Sequence, residues 1–175
     1  PALDAEEPDL RQVALSGILS LRPDGRVAVP HLIERLSAED PAKREQAIDL
    51  LGRMGADAGA AAPRLITALG QAEAEEKQRI QDALVEMGPA SIPGVLDSVK
   101  DSPLAKLSAE QWQVDCVGNI GIQAVPRLTR ALKEHPGNGV GLLSLIALQK
   151  IGDKSPTTRQ SILPLLTHEQ AVFRS

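Results

Sequence analysis

A proline recurs in this chain at Pro30, Pro63, Pro93, Pro126 and Pro164, each inside a short apolar segment of the same design. The segments read Val29-Pro30-His31-Leu32-Ile33, Ala62-Pro63-Arg64-Leu65-Ile66, Ile92-Pro93-Gly94-Val95-Leu96, Val125-Pro126-Arg127-Leu128-Thr129 and Leu163-Pro164-Leu165-Leu166-Thr167. Successive prolines are 33, 30, 33 and 38 residues apart. Upstream of each stands a glycine: Gly25, Gly55, Gly88, Gly121 and Gly152. A period of this length marks a chain assembled from stacked supersecondary units, none of which buries its apolar face alone.

Each unit reads as two helices. In the second, Asp40-Pro41 supplies a cap followed by proline at the first helical position, where the missing N–H removes no bond. Ala47, Leu50, Leu51 and Met54 then recur at helical spacing, and Gly55 ends the helix as a left-handed cap. Counting back from the later glycines gives Ile80, Ala83, Leu84 and Met87; then Gln113, Cys116, Val117 and Ile120; then Ser144, Ala147, Leu148 and Ile151. The first unit is less regular, because Arg22-Pro23-Asp24-Gly25 inserts a turn, as a terminal capping unit would. The second helix of each unit starts near its proline, and apolar residues follow two, three and six positions later: Leu32, Ile33, Leu36; Leu65, Ile66, Leu69; Val95, Leu96, Val99. Ser108-Ala109-Glu110-Gln111 reads as a capping box opening the fourth unit. The units span approximately 6–38, 39–72, 73–101, 108–135 and 138–172, within one domain that a longer protein could carry.

Composition agrees with an all-α chain. Of 175 residues 42% are hydrophobic, yet only Trp112 and Phe173 are aromatic, and sheets are enriched in aromatic residues. No segment alternates at period two, so no strand is expected. The net charge of −4 conceals an asymmetry: residues 1–88 carry 10 basic and 16 acidic side chains, residues 89–175 carry 9 and 7. Neither half has the basic footprint that nucleic acid requires. The longest apolar-rich run, Val140 to Leu148, is too short for a membrane span and is interrupted by Gly141 and Ser144. Cys116 is the single cysteine, so no internal disulfide can form.

Met54-Gly55 and Met87-Gly88, with Ala61-Ala62-Pro63-Arg64-Leu65-Ile66-Thr67-Ala68-Leu69 and its counterpart Ala124 to Leu132, carry a family pattern. Met-Gly, a short loop, then Ala-x-Pro-x-Leu-x-x-Ala-Leu resembles the short bacterial HEAT repeats, including those called PBS-lyase HEAT-like. The resemblance extends over about residues 6–172. It implies an α-α superhelix, a right-handed solenoid of about five HEAT-like helix pairs. Similar proteins bind protein or peptide partners on the concave face formed by the second helices. That implies a non-catalytic scaffold here, with a structural or assembly subunit of a larger complex, or a phycobilin-lyase-like enzyme subunit, as alternatives.

On the second helices the residue after each proline reads His31, Arg64, Gly94, Arg127 and Leu165. Three positions on come Glu34, Thr67, Asp97, Arg130 and His168. Both rows are expected on one exposed ridge. Arg127, Arg130 and Lys133 form the one compact basic cluster, which either engages acidic groups on a partner or is a solvated face. Trp112 aligns with Gln46 and Arg79, outside the buried stripe. It is either an exposed anchor for a partner or is covered by Leu104 and Leu107. The expected partner-binding residues are therefore Arg64, Trp112, Arg127 and Arg130. Asp49, Asp82 and Asp115 stand six residues before three successive glycines; they form an acidic ladder, a solvated face, or bonds between neighbouring units. Cys116, aligned with Leu50, Ala83 and Ala147, is expected in the core.

Enzyme chemistry finds little footing. His31, His135 and His168 lie on three different units, and no His-x-x-x-His or Cys-x-x-Cys pair exists. HEAT-like deoxyhypusine hydroxylase binds iron through repeated His-Glu pairs; here only His168-Glu169 occurs. HEAT-like alkylpurine glycosylases use a basic, aromatic-bearing concave face, which an acidic chain with one Trp matches poorly. Gly137-Asn138-Gly139-Val140-Gly141 is glycine-rich but joins two helices, and dinucleotide loops follow a strand. No cofactor, metal, small-molecule substrate or nucleic acid is expected.

Overall fold

A computed structural model describes residues 17, 24–102, 111–152, 156 and 160. All regular structure among these residues is helical. By its contacts the chain divides into two compact units, Pro1–Ala90 and Ser91–Ser175. The division falls inside the expected third repeat, between its two helices.

The first unit holds α1 (Val29–Arg35), α2 (Pro41–Met54), α3 (Ala62–Leu69) and α4 (Ala74–Glu86), with 3-10 segments before α1 (Asp24–Ala28), between α2 and α3 (Gly55–Ala61) and after α4 (Gly88–Ala90). The second unit holds α5 (Ile92–Asp97), α6 (Trp112–Ile120), α7 (Val125–Glu134) and α8 (Gly139–Ile151), with a 3-10 turn at Gly121–Ala124. The first helix of the first expected repeat, the second helix of the fifth, Ser108, Leu104, Leu107, Leu165 and His168 lie outside the described residues.

The local signals act where the sequence places them. Asp40 is the cap of α2 and its Oδ1 accepts from the Ala42 N–H at 2.9 Å. Proline occupies the first or second position of α1, α2, α3, α5 and α7. Asn138 caps α8, its side-chain oxygen accepting from Val140 N–H at 3.0 Å and Gly141 N–H at 3.3 Å. The glycine-rich stretch is thus a helix cap. A Cβ at position 141 would be driven into the carbonyl oxygen of His135, so the close approach of the two segments requires glycine there.

Gly55 and Gly121 end their helices with positive φ, but not as left-handed caps. Their φ,ψ values of 62°, −133° and 74°, −146° lie outside the left-handed helical region, in territory open almost only to glycine. The cause is local: after each of them the chain turns straight into a 3-10 segment. Gly152 does take the left-handed conformation (72°, 22°). Ser108 of the expected capping box lies outside the described residues, and the helix that box is expected to open starts at Trp112 with no side-chain hydrogen bond capping it. Gln111 is extended (φ −79°, ψ 143°) and stands at the cap itself, with Trp112 the first helical residue.

The core follows the apolar stripes. Ala47, Leu50, Leu51, Met54, Ile80, Ala83, Leu84 and Met87 are all buried, as are Cys116, Val117, Ala147 and Leu148. Ser144 is buried too, with its Oγ donating to the Val140 carbonyl at 2.7 Å. Gln113, Ile120 and Ile151, expected in the stripes, are half-buried, as are Ile33 and Ile66 in the second helices. α2 packs on α4 and α6 on α8, so in each unit a helix meets the one two further along. Among the described residues no helix is long and apolar enough to cross a membrane.

Candidate functional site

Two grooves are built alike, one in each unit. The first is lined by Leu36, Ser37, Arg64, Thr67, Ala68, Gln71 and Ala72 together with Arg44 and Glu76. The second is lined by Lys100, Arg127, Arg130, Ala131, Glu134 and His135, over Ile92, Leu96 and Val140, with Pro93 and Asp97 at its edge. Ser37 and Lys100, Arg64 and Arg127, Thr67 and Arg130, Ala68 and Ala131, Gln71 and Glu134, Ala72 and His135 are corresponding positions, every pair 63 residues apart. The groove therefore belongs to the motif and not to one local accident of packing.

Helix geometry explains which side chains reach it. Residues three apart are rotated by about 60° around a helix and residues seven apart by only about 20°. Arg127, Arg130, Ala131 and Glu134 consequently share the groove side of α7, whereas Lys133, two such three-residue steps from Arg127, does not line it. The basic cluster expected from the sequence is split accordingly: two guanidinium groups face the groove, and its third cation is Lys100.

The two grooves differ in how their charges are spent. In the first, Arg44 donates through Nε to Glu76 Oε1 at 2.9 Å, and through an η nitrogen to the carbonyls of Ala38 and Glu39 at 3.0 and 3.1 Å. The hydrogen bond to Glu76 raises its pKa further above the ordinary arginine value. Arg64 is exposed and, among the described residues, makes one long hydrogen bond, 3.4 Å, with the Ser37 hydroxyl. In the second groove Lys100, Arg127 and Arg130 are exposed and form no ion pair among the described residues. The ridge expected along the second helices is exposed at His31, Glu34, Arg64, Thr67, Asp97, Arg127 and Arg130, with Gly94 half-buried.

Trp112 is half-buried at the first turn of α6 and lines neither groove. Cys116 is 2% exposed, and burial pushes its thiol up to about 12, so the side chain is a core residue and not a nucleophile. The three aspartates each have a partner of their own. Asp49 meets Arg79 at 3.8 Å, Asp115 meets Lys150, and Asp82 accepts from Gln78 within its own helix at 2.9 Å. The first two tie α2 to α4 and α6 to α8. Sequence reasoning missed Lys100 as a groove residue. Its signal was present, seven residues after Pro93 as Ser37 is after Pro30. Among the described residues no group of three His, Cys, Asp or Glu side chains converges as metal ligands would.

No family model matches the chain, and no curated protein matches it.

Proposed function

We propose that this chain is a right-handed solenoid of about five HEAT-like helix pairs, a non-catalytic scaffold that binds a protein or peptide along its second helices. One observation carries the reading: the groove beside the second helix recurs at a 63-residue offset, with an exposed arginine, Arg64 or Arg127, at the same place in both. A recurring groove suits a partner that is itself extended and offers side chains at intervals. Their sizes, about 320 and 210 Å³, lie at or below the lower end of small-molecule pockets, roughly 300–1,000 Å³. The packing of α2 on α4 and α6 on α8 is what a stack of helix pairs needs, and it supports the same reading. Mechanistically this is rigid display of side chains, with no bond made or broken.

Cross-linking capture from native extract tests this, comparing the natural chain with an Arg127→Glu/Arg130→Glu version. The reading predicts one enriched partner, lost in the double variant while helicity by circular dichroism is unchanged. Capture of the same partner by both versions would move binding off the second helices. Recovery of only further copies of this chain would favour the assembly-subunit alternative.

A further inference from the structure

Resting on that reading, we propose that the groove of the second unit takes an acidic segment of a protein partner in extended form, with one aliphatic side chain flanked by carboxylates. Three features lead there. The floor is apolar, formed by Ile92, Leu96, Ala131 and Val140, and its cavity of about 210 Å³ is suited to one side chain and not to a cofactor. The walls are cationic from two directions, Lys100 following α5 and Arg127 with Arg130 on α7. These three cations have no ion-pair partner among the described residues, whereas Arg26, Arg44 and Arg79 of the first unit are each held by a carboxylate, at 2.7, 2.9 and 3.2 Å. Arginine's planar fork favours the two oxygens of a carboxylate.

Asp97 and Glu134 also border the groove, and they restrict the ligand. A polyanion with a charge at every unit, such as a nucleic-acid backbone, would bring phosphates against both carboxylates. An extended peptide avoids this. Its side chains alternate, so residues two apart point the same way, about 7 Å from each other. A Glu-Ser-Leu-Ser-Glu segment therefore turns leucine to the floor and its two carboxylates, about 13 Å apart, to the cationic walls, with the serines facing away from the groove and no charge on the stretch between the carboxylates. The corresponding groove of the first unit has Ser37 and Thr67 where this one has Lys100 and Arg130, and Glu76 already neutralises its Arg44. It has less to offer such a peptide.

The test is amide shift mapping on isotope-labelled protein with a Glu-Ser-Leu-Ser-Glu peptide at millimolar concentration, a method that registers weak binding. The expected result is saturable shifts confined to residues 96–100, 127–131 and 135–140. The dissociation constant should rise about tenfold or more in Arg127→Gln/Arg130→Gln and stay unchanged in Arg64→Gln. Gln-Ser-Leu-Ser-Gln and Glu-Ser-Ser-Ser-Glu should each bind measurably less. Absence of shifts at those amides overturns the proposal, as does equal binding of the uncharged peptide or equal competition by a single-stranded oligonucleotide. If the peptide fails while capture still depends on Arg127 and Arg130, the scaffold reading stands and the acidic-aliphatic ligand is wrong. If the labelled chain instead broadens with its own concentration at the same amides, the occupant is a second copy, which also overturns it.

Discussion

At the scale of single residues, the chain separates positions that tolerate change from positions that do not. Gly141 and Gly70 look alike in the sequence, but a Cβ at 141 meets the His135 backbone, while at 70 the nearest atom is the Thr67 carbonyl oxygen at 3.4 Å on a helical backbone. Gly141→Ala is expected to cost about 1–3 kcal/mol through overpacking. Gly70→Ala should be neutral or stabilising by up to about 1 kcal/mol, by restricting the unfolded chain. Urea midpoints of the two variants check both. Cys116 gives a pH prediction. Its thiol titrates at about 12 when folded against an ordinary 9.0, so between those values the folded state keeps a proton that the unfolded chain releases. Its contribution is complete below about pH 9 and declines as pH rises, by up to about 1.4 kcal/mol per pH unit. The natural protein should lose stability relative to Cys116→Ala over that window, and a thiol reagent at pH 8 should react only on unfolding. The core role of Cys116 was legible, because it sits in register with Leu50, Ala83 and Ala147. The need for glycine at 141 was not, since it depends on a backbone six residues away meeting the start of α8.

Among the helices, two kinds of signal were readable and one was not. Prolines marked the starts of the second helices, and Asp40 marked the start of α2, because both act within a turn of the backbone they affect. Asp40→Ala should therefore lower stability by about 1 kcal/mol, and Asn138→Ala by a similar amount, since each removes an acceptor from first-turn N–H groups. Denaturant unfolding followed at 222 nm measures both. Gly55, Gly121 and Gly152 stand at helix ends as read, but the left-handed cap expected at Gly55 is found neither there nor at Gly121, whereas Gly152 adopts that conformation. Composition alone cannot distinguish these conformations, because glycine enters both freely, and only the adjoining 3-10 segment decides. The aspartates at equivalent positions likewise could be assigned a face but not a partner. Arg79 and Lys150 reach Asp49 and Asp115 from the neighbouring helix, and such pairs depend on side-chain reach between segments distant in the chain.

For the whole molecule, what sequence periodicity conveys is the recurrence of the groove, not its chemistry. The 63-residue offset was contained in the proline spacings, and Arg64, Arg127 and Arg130 were selected by their places one and four residues after those prolines. Lys100 was overlooked because it follows its helix instead of lying within it, and Trp112 was selected on exposure that the fold only half grants. The acidic bias of residues 1–88 and the mildly basic balance of residues 89–175 were visible at once. What could not be read was that Arg44 is already engaged by Glu76, whereas Arg127 and Arg130 have no such carboxylate among the described residues. A bound charge and an available one look identical in a sequence. The central claim, that partners are held along the second helices, is tested most directly by a photo-activated cross-linking residue placed singly at Arg64, Arg127, Lys43 or Asn119, all of them exposed. Cross-links to a partner from positions 64 and 127, with none from the first-helix positions 43 and 119, are what the scaffold account predicts; equal or stronger cross-links from 43 and 119 would contradict it.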